Sequence, residues 1–270
     1  MSCKLAVIGV GNMAKAIIAG IQKSDTNISE IILFDKNKEQ YLSLPDGACS
    51  YKIADSVFSA VNDADCVLLS VKPQNMSDVL AQISKVEAHS QKLYITIAAG
   101  ITVDAVSGSL GNARTVRVLP NLPMTVGHGV SVICKNEDVA KPDFDLICSI
   151  FEPTGSTLII NESEMNRIIG VTSSSPAYVF KFINAIYKGA LAQGLPADGL
   201  VDAICDVFIG SALLLKQSGE TPDQLASKVA SKGGTTERAL LCLESADIDR
   251  IVLDAMLACT ERADELGADK

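Results

Sequence analysis

Two short stretches of this chain carry residue types suited to holding anions. GVGNMA spans residues 9–14, and SKGGTT spans residues 231–236 near the other end. The first follows an apolar run, KLAVIG, and opens a helix-like segment. Gly9 permits a tight turn, Gly11 lets a pyrophosphate approach the backbone, and Ala14 is small enough for a helix to pack on a strand. N–H groups at a helix start, here around Asn12 and Met13, attract phosphate together with the helix dipole. Strand, glycine loop and helix occur in that order, so the spacing predicts a dinucleotide site.

Other residues fall where such a site needs them. Asp35 ends the second apolar run, EIILFD. A carboxylate there accepts hydrogen bonds from the adenosine ribose diol, which favours NAD(H). Lys36 and Lys38 follow it and can pair with a 2′-phosphate instead, so NADH and NADPH both stay open. LLSVKP (68–73) is the end of a central strand plus a loop. Strand carboxyl ends in an open parallel sheet face the ligand crevice, which puts Ser70, Val71, Lys72 and Pro73 beside the cofactor.

The elements around these residues form a pattern. KLAVIG (4–9), EIILFD (30–35), DCVLLSV (65–71), KLYITIA (92–98) and RTVRVLP (114–120) are short, apolar and rich in Val, Ile and Leu. They alternate with helix-like segments at 12–23, 36–43, 55–62, 74–86 and 102–109. Two more strands are expected at 130–134 and 156–160, with a helix between them at about 138–151. That alternation predicts an α/β fold, a doubly wound parallel Rossmann-type sheet. After residue 160 the strand-like runs stop and helices follow, so the boundary is placed there: a dinucleotide-binding domain over 1–160, then an all-α domain over 161–270. Helix 196–218 is apolar on nearly all sides, which implies burial between helices and a homodimer, with a larger ring or stack open.

Composition excludes several classes. Of 270 residues 48% are hydrophobic, enough for a well-buried globular protein. The formal charge of −9 argues against nucleic acid or acidic lipid as a partner. No run of 18 uncharged apolar residues predicts a membrane span. The opening apolar run breaks at glycines too early for a signal peptide, so a cytoplasmic location is expected. The eight cysteines form no C-x-x-C pair and none pairs with either histidine at metal spacing, so buried reduced thiols and no metal are expected. His89 is read as a surface residue and His128 as a structural loop residue.

GVGNMA, SVKP (70–73), RVLPNLP (117–123), SSSPAY (173–178) and SKGGTT occur in an order and spacing that resembles the pyrroline-5-carboxylate reductase family over nearly the whole chain. The resemblance implies an N-terminal dinucleotide domain and a C-terminal helical dimerisation domain. It also implies NADPH- or NADH-dependent reduction of a cyclic imino acid, 1-pyrroline-5-carboxylate, to L-proline. Gly233 and Gly234 then expose N–H groups at a helix start as an anion seat, and Ser231, Thr235 and Thr236 add hydroxyl donors. By the same resemblance the substrate carboxylate lies on Ser231, Gly234 and Thr235, the Thr236 hydroxyl lies near the ring nitrogen, and the two halves of the site come from different subunits. A protonated imine is already electrophilic, so orientation and charge placement can supply most of the catalysis. Ser173, Ser175, Lys232 and Leu119 depart from the family pattern, and Ser56 or Val57 stands where an asparagine is often found.

Two alternatives have other signatures. A β-hydroxyacid dehydrogenase would use a lysine and an asparagine one helical turn apart, as Lys181 and Asn184 are; that reading gives SKGGTT no role. A non-catalytic nucleotide-sensing relative would keep the fold and lose turnover.

Overall fold

The computed structural model describes residues 3–268. In chain order the first part runs β1 (Cys3–Ile8), α1 (Asn12–Gln22), β2 (Ile28–Phe34), β3 (Ser50–Ile53), α2 (Val57–Asn62), β4 (Cys66–Leu69), α3 (Met76–Ile83), β5 (Leu93–Thr96), α4 (Val103–Ser109) and β6 (Arg114–Leu119). There follow β7 (Gly129–Lys135), α5 (Lys141–Phe151), β8 (Gly155–Ile159), α6 (Met165–Ile168), α7 (Ser175–Ala192), α8 (Leu200–Ser218), α9 (Pro222–Val229), α10 (Thr235–Ser245) and α11 (Ile248–Ala268).

The strands form one sheet in the order β3-β2-β1-β4-β5-β6-β7-β8. Apolar residues on successive positions of β1 serve opposite faces. Leu5 and Val7 join one core cluster with Ile17, Ile18 and Ile21 of α1 and Ile147, Ile150 and Phe151 of α5. Ala6 and Ile8 join another with Val61 of α2, Met76, Val79 and Ile83 of α3, and Val106 of α4. Each fully buried Leu, Ile or Val stabilises by about 1.5–3 kcal/mol, and a strand covered on both faces gains from every position.

Three features differ from the sequence reading. β7 runs antiparallel to β6. Only a short segment, with a 3₁₀ turn at Leu122–Val126, joins them, and a parallel return needs a crossover of a dozen or more residues. β3 was not expected. Its residues, SYKI, are mostly exposed at the sheet edge, so they lack the apolar run that marks a central strand. The helix expected at 36–43 is a 3₁₀ turn over Lys38–Ser43.

Packing divides the chain into two units. One is the described part of Met1–Ser174 with Ala258–Lys270; the other is Ser175–Leu257. This differs from a division at 160 because local contacts hold the end of α11 to the first unit. Asn166 donates to Asp264 at 2.7 Å, Ser174 Oγ and Cys259 Sγ lie 3.0 Å apart, and Ala263 is buried. In the second unit α8 is not wrapped by helices of its own chain. Ile204 is its one buried residue, while Val207, Ile209, Leu213 and Leu214 are exposed. An apolar surface of that kind marks an association face.

No helix among the described residues is long and apolar enough to cross a membrane. The cysteines are free thiols, but burial is uneven: Cys49, Cys66 and Cys134 are buried and Cys242 is exposed. The expectation of burial fails for Cys242 because α10 has no buried residue.

Candidate functional site

A cavity of about 360 Å³ opens at the carboxyl ends of β1, β2 and β4. β1 lies between β2 and β4, so the chain crosses from one side of the sheet to the other here. Ligands of open α/β sheets bind at such switch points. Backbone hydrogen bonds hold the three strand ends together: Gly9 N–H donates to Phe34 at 2.8 Å and Ser70 N–H donates to Ile8 at 2.9 Å.

The two loop glycines are needed for different reasons. Gly9 has φ +91°, and a Cβ there would lie 2.6 Å from the Ser70 carbonyl oxygen. The fold itself requires glycine at that position. Gly11 has φ −77° and ψ −176°, an extended conformation open to any residue, and a Cβ there would meet nothing within 4 Å. The space it would fill belongs to no protein atom. Gly11 also caps α1 without offering a side-chain acceptor, so the first-turn amides are left to a ligand or solvent. This glycine-lined space at a helix start fits a pyrophosphate.

Asp35 lies beside it. Its Oδ2 accepts from Val10 N–H at 2.7 Å and its Oδ1 from Asn37 N–H at 2.8 Å. The Tyr41 hydroxyl sits 2.6 Å from the Asp35 amide nitrogen, and burial raises the Tyr41 pKa. The cavity brings together Gly9, Gly11, Asp35, Lys36, Ser70, Val71 and Lys72. Four other residues of the predicted dinucleotide site do not line it. Ala14 is fully buried on the inner side of α1, Met13 packs on the core, Asn12 is exposed, and Pro73 starts a 3₁₀ turn.

Sequence reasoning missed Asn75, Asp78, Val79 and Gln82, which line the same cavity. Their spacing of three and four residues places them on one face of α3 and its lead-in, a polar stripe legible only once that helix is known to border the crevice. Val57 also lines the cavity, whereas the Ser56 hydroxyl caps α2 by accepting from Ser59 N–H at 3.1 Å.

RVLPNLP is scaffold rather than cavity lining. Arg117 is 2% exposed and pairs with Glu162 at 3.3 Å. Buried Asn121 donates to Thr172 and accepts from Val130.

SKGG forms the turn before α10, and the two threonines open that helix. Gly233 has φ +73°, and Gly234 is the cap, where a Cβ would lie 2.5 Å from Ser231 Oγ. Here the expectation that both glycines expose free amides fails. Gly234 N–H donates to the Ser231 carbonyl at 2.8 Å, closing the turn. Gly233 N–H donates to Glu237 Oε2 at 2.7 Å. Glu237 is the third residue of α10 and reaches back to the helix start, as acidic residues in a first turn do. The Thr235 and Thr236 amides remain without a side-chain acceptor from the glycine cap, and the hydroxyl-bearing Ser231, Thr235 and Thr236 are close by in the chain.

Lys181 and Asn184 lie one turn apart on α7, and both are exposed. His128 is exposed, and His89 Nδ1 lies 2.8 Å from the Val86 carbonyl oxygen.

Comparison with known proteins matches both halves. Residues 162–266 match the model for pyrroline-5-carboxylate reductase dimerisation, and residues 4–100 match that for NADP oxidoreductase, coenzyme F420-dependent. Self-association is the role of the first, and α7 and α8 carry the exposed apolar residues it would cover. The chain is 32% identical over 268 residues to the pyrroline-5-carboxylate reductase of Escherichia coli, covering 98% of this chain and 99% of that one. It is 30% identical to that of Corynebacterium melassecola, covering 97% and 98%. The solved structure of a pyrroline-5-carboxylate reductase from Coxiella burnetii superposes with a TM-score of 0.87 at 26% identity, covering 98% of this chain and 99% of that one. Similarity along the full length shows that the chain belongs to the pyrroline-5-carboxylate reductase family.

Proposed function

We propose that this chain is an NAD(P)H-dependent imine reductase, converting 1-pyrroline-5-carboxylate to L-proline. The observation that carries the reading is the identity to the Escherichia coli reductase along 98% of this chain. The open space at Gly11 beside an anchored Asp35 supports the coenzyme half. When bound, the reduced dinucleotide supplies the hydride, which is chemistry no side chain can provide.

The chain's own residues bind and orient. The α1 amides hold the pyrophosphate, while Ser70, Val71 and Lys72 border the space for the rest of the coenzyme. Ser231, Thr235 and Thr236 hold the substrate carboxylate through hydroxyls and helix-start amides, with Gly234 shaping the turn. The Thr236 hydroxyl lies near the ring nitrogen and fixes the orientation of the C=N bond. No strong protein acid is needed, because the iminium is already activated. The working unit is a homodimer that covers the apolar faces of α7 and α8, and the reaction takes place in the cytoplasm.

The test follows absorbance of NADPH and NADH separately with the cyclic imino acid. Turnover with either supports the reading, and none with both ends it. Thr236→Ala is expected to raise KM for the imine or lower kcat by about tenfold, the worth of one hydrogen bond to a charged group, with coenzyme affinity unchanged. Equal loss of both would remove Thr236 from the substrate site. Lys181→Met, which stops turnover in a lysine-dependent dehydrogenase, should leave most activity intact.

A further inference from the structure

Resting on the reductase reading above, we propose that Asp35 sets the coenzyme preference of this chain, and that the preferred coenzyme is NADH.

Asp35 lines the cavity together with Gly9 and Gly11. It follows directly on β2, where the adenosine ribose lies when a dinucleotide occupies a sheet of this order. Its carboxylate is pinned at both oxygens, Oδ2 to Val10 N–H at 2.7 Å and Oδ1 to Asn37 N–H at 2.8 Å. It cannot swing aside for another anion without stranding two backbone amides, one of them in the phosphate loop itself. Each oxygen keeps a further acceptor position. A ribose diol offers two O–H donors to those positions. A 2′-phosphate offers none and brings a second negative charge against a carboxylate that cannot withdraw.

Lys36 also lines the cavity and, like Lys38 two residues on, would favour a 2′-phosphate. It is exposed, and its ammonium has no ion-pair partner among the described residues. It is therefore a mobile, hydrated point charge on a flexible stem, whereas Asp35 is preorganised. Fixed repulsion outweighs mobile attraction, and the site selects the diol.

The experiment titrates the full chain with NADH and with NADPH, following fluorescence of the reduced nicotinamide, and measures initial rates with the imine. Wild type is expected to bind NADH at least about tenfold more tightly than NADPH. Asp35→Ser should erase or reverse that ratio, chiefly by gaining NADPH. Asp35→Asn keeps one oxygen for a backbone amide and removes the charge, and should fall between. Thermal melts establish that the variants fold; if Asp35→Ser does not, the wild-type and Asp35→Asn ratios decide. Equal or tighter NADPH binding by wild type overturns the proposal. So does a folded Asp35→Ser or Asp35→Asn that changes both affinities by the same factor. NADH-selective binding without imine turnover would sink the reductase reading and leave this inference standing.

Discussion

Replacing Gly9 and Gly11 in turn by alanine separates what the fold needs from what the coenzyme needs. At Gly9 the new Cβ costs about 1–2 kcal/mol for an L-residue at positive φ. It also costs about 1–3 kcal/mol for overpacking, because it would sit 2.6 Å from the Ser70 carbonyl oxygen. The sum, about 2–5 kcal/mol, lowers Tm by roughly 10 °C for a chain of this size. At Gly11 the backbone already suits alanine, and the Cβ meets no protein atom. Losing glycine as cap costs about 0.5–1 kcal/mol. The stiffer unfolded chain returns about 0.4–1 kcal/mol, so the melt should move by less than about 2 °C. The methyl group instead occupies the space kept for pyrophosphate. If overpacking there costs about 1–3 kcal/mol, the coenzyme Kd rises about 5- to 150-fold. Melting of the free proteins and titration with reduced dinucleotide read the two effects separately. A Gly11→Ala protein that melts as low as Gly9→Ala, or that binds coenzyme as wild type does, would refute the assignment of that space to a ligand.

Three further outcomes follow from particular contacts. Glu237→Gln keeps an oxygen for Gly233 N–H but removes a negative charge from beside the proposed carboxylate seat; for a charge separation of about 6 Å in a water-like dielectric that is worth ~0.7 kcal/mol. KM for the imine should fall about threefold, and an unchanged KM would place the substrate elsewhere. Glu162→Ala strands the Arg117 guanidinium, which is 2% exposed, and should cost about 3 kcal/mol in urea unfolding; a loss below about 1 kcal/mol would show that Asn166 alone satisfies the arginine. Burial pushes the Cys134 thiol up to about 12, and burial also holds the Tyr94 hydroxyl well above its ordinary value. The folded state then keeps protons that the unfolded chain releases, so this stabilisation is full below about pH 8.5 and falls as pH rises toward 12. By pH 10 the Cys134 share lost is about 2 kcal/mol, and Cys134→Val should flatten the decline measured by urea unfolding from pH 7 to 10.

The central strands were legible because each is buried on both faces, so LAVI and CVLL appear in sequence as unbroken apolar runs. β3 was not, because an exposed edge strand carries SYKI and no such run. The glycine loop after β1 was legible for a related reason: Gly9, Gly11 and Ala14 act within a few residues, through backbone conformation and side-chain size. Asn75, Asp78 and Gln82 escaped notice because a polar residue on α3 becomes a lining residue only through the placement of that helix against β1 and β2. At SKGGTT the structure departs from the sequence reading in one respect. GGTT does mark a helix start, but the amides it was taken to leave open at Gly233 and Gly234 are consumed by Glu237 and by the Ser231 carbonyl. An N–H that a sequence seems to offer has nearby competitors, and a carboxylate four residues on is a strong one. The amides that the cap leaves without a side-chain acceptor lie two residues along, at Thr235 and Thr236. If the substrate carboxylate does sit there, Glu237 is its immediate electrostatic neighbour, and the response of KM to Glu237→Gln measures that proximity without disturbing the turn.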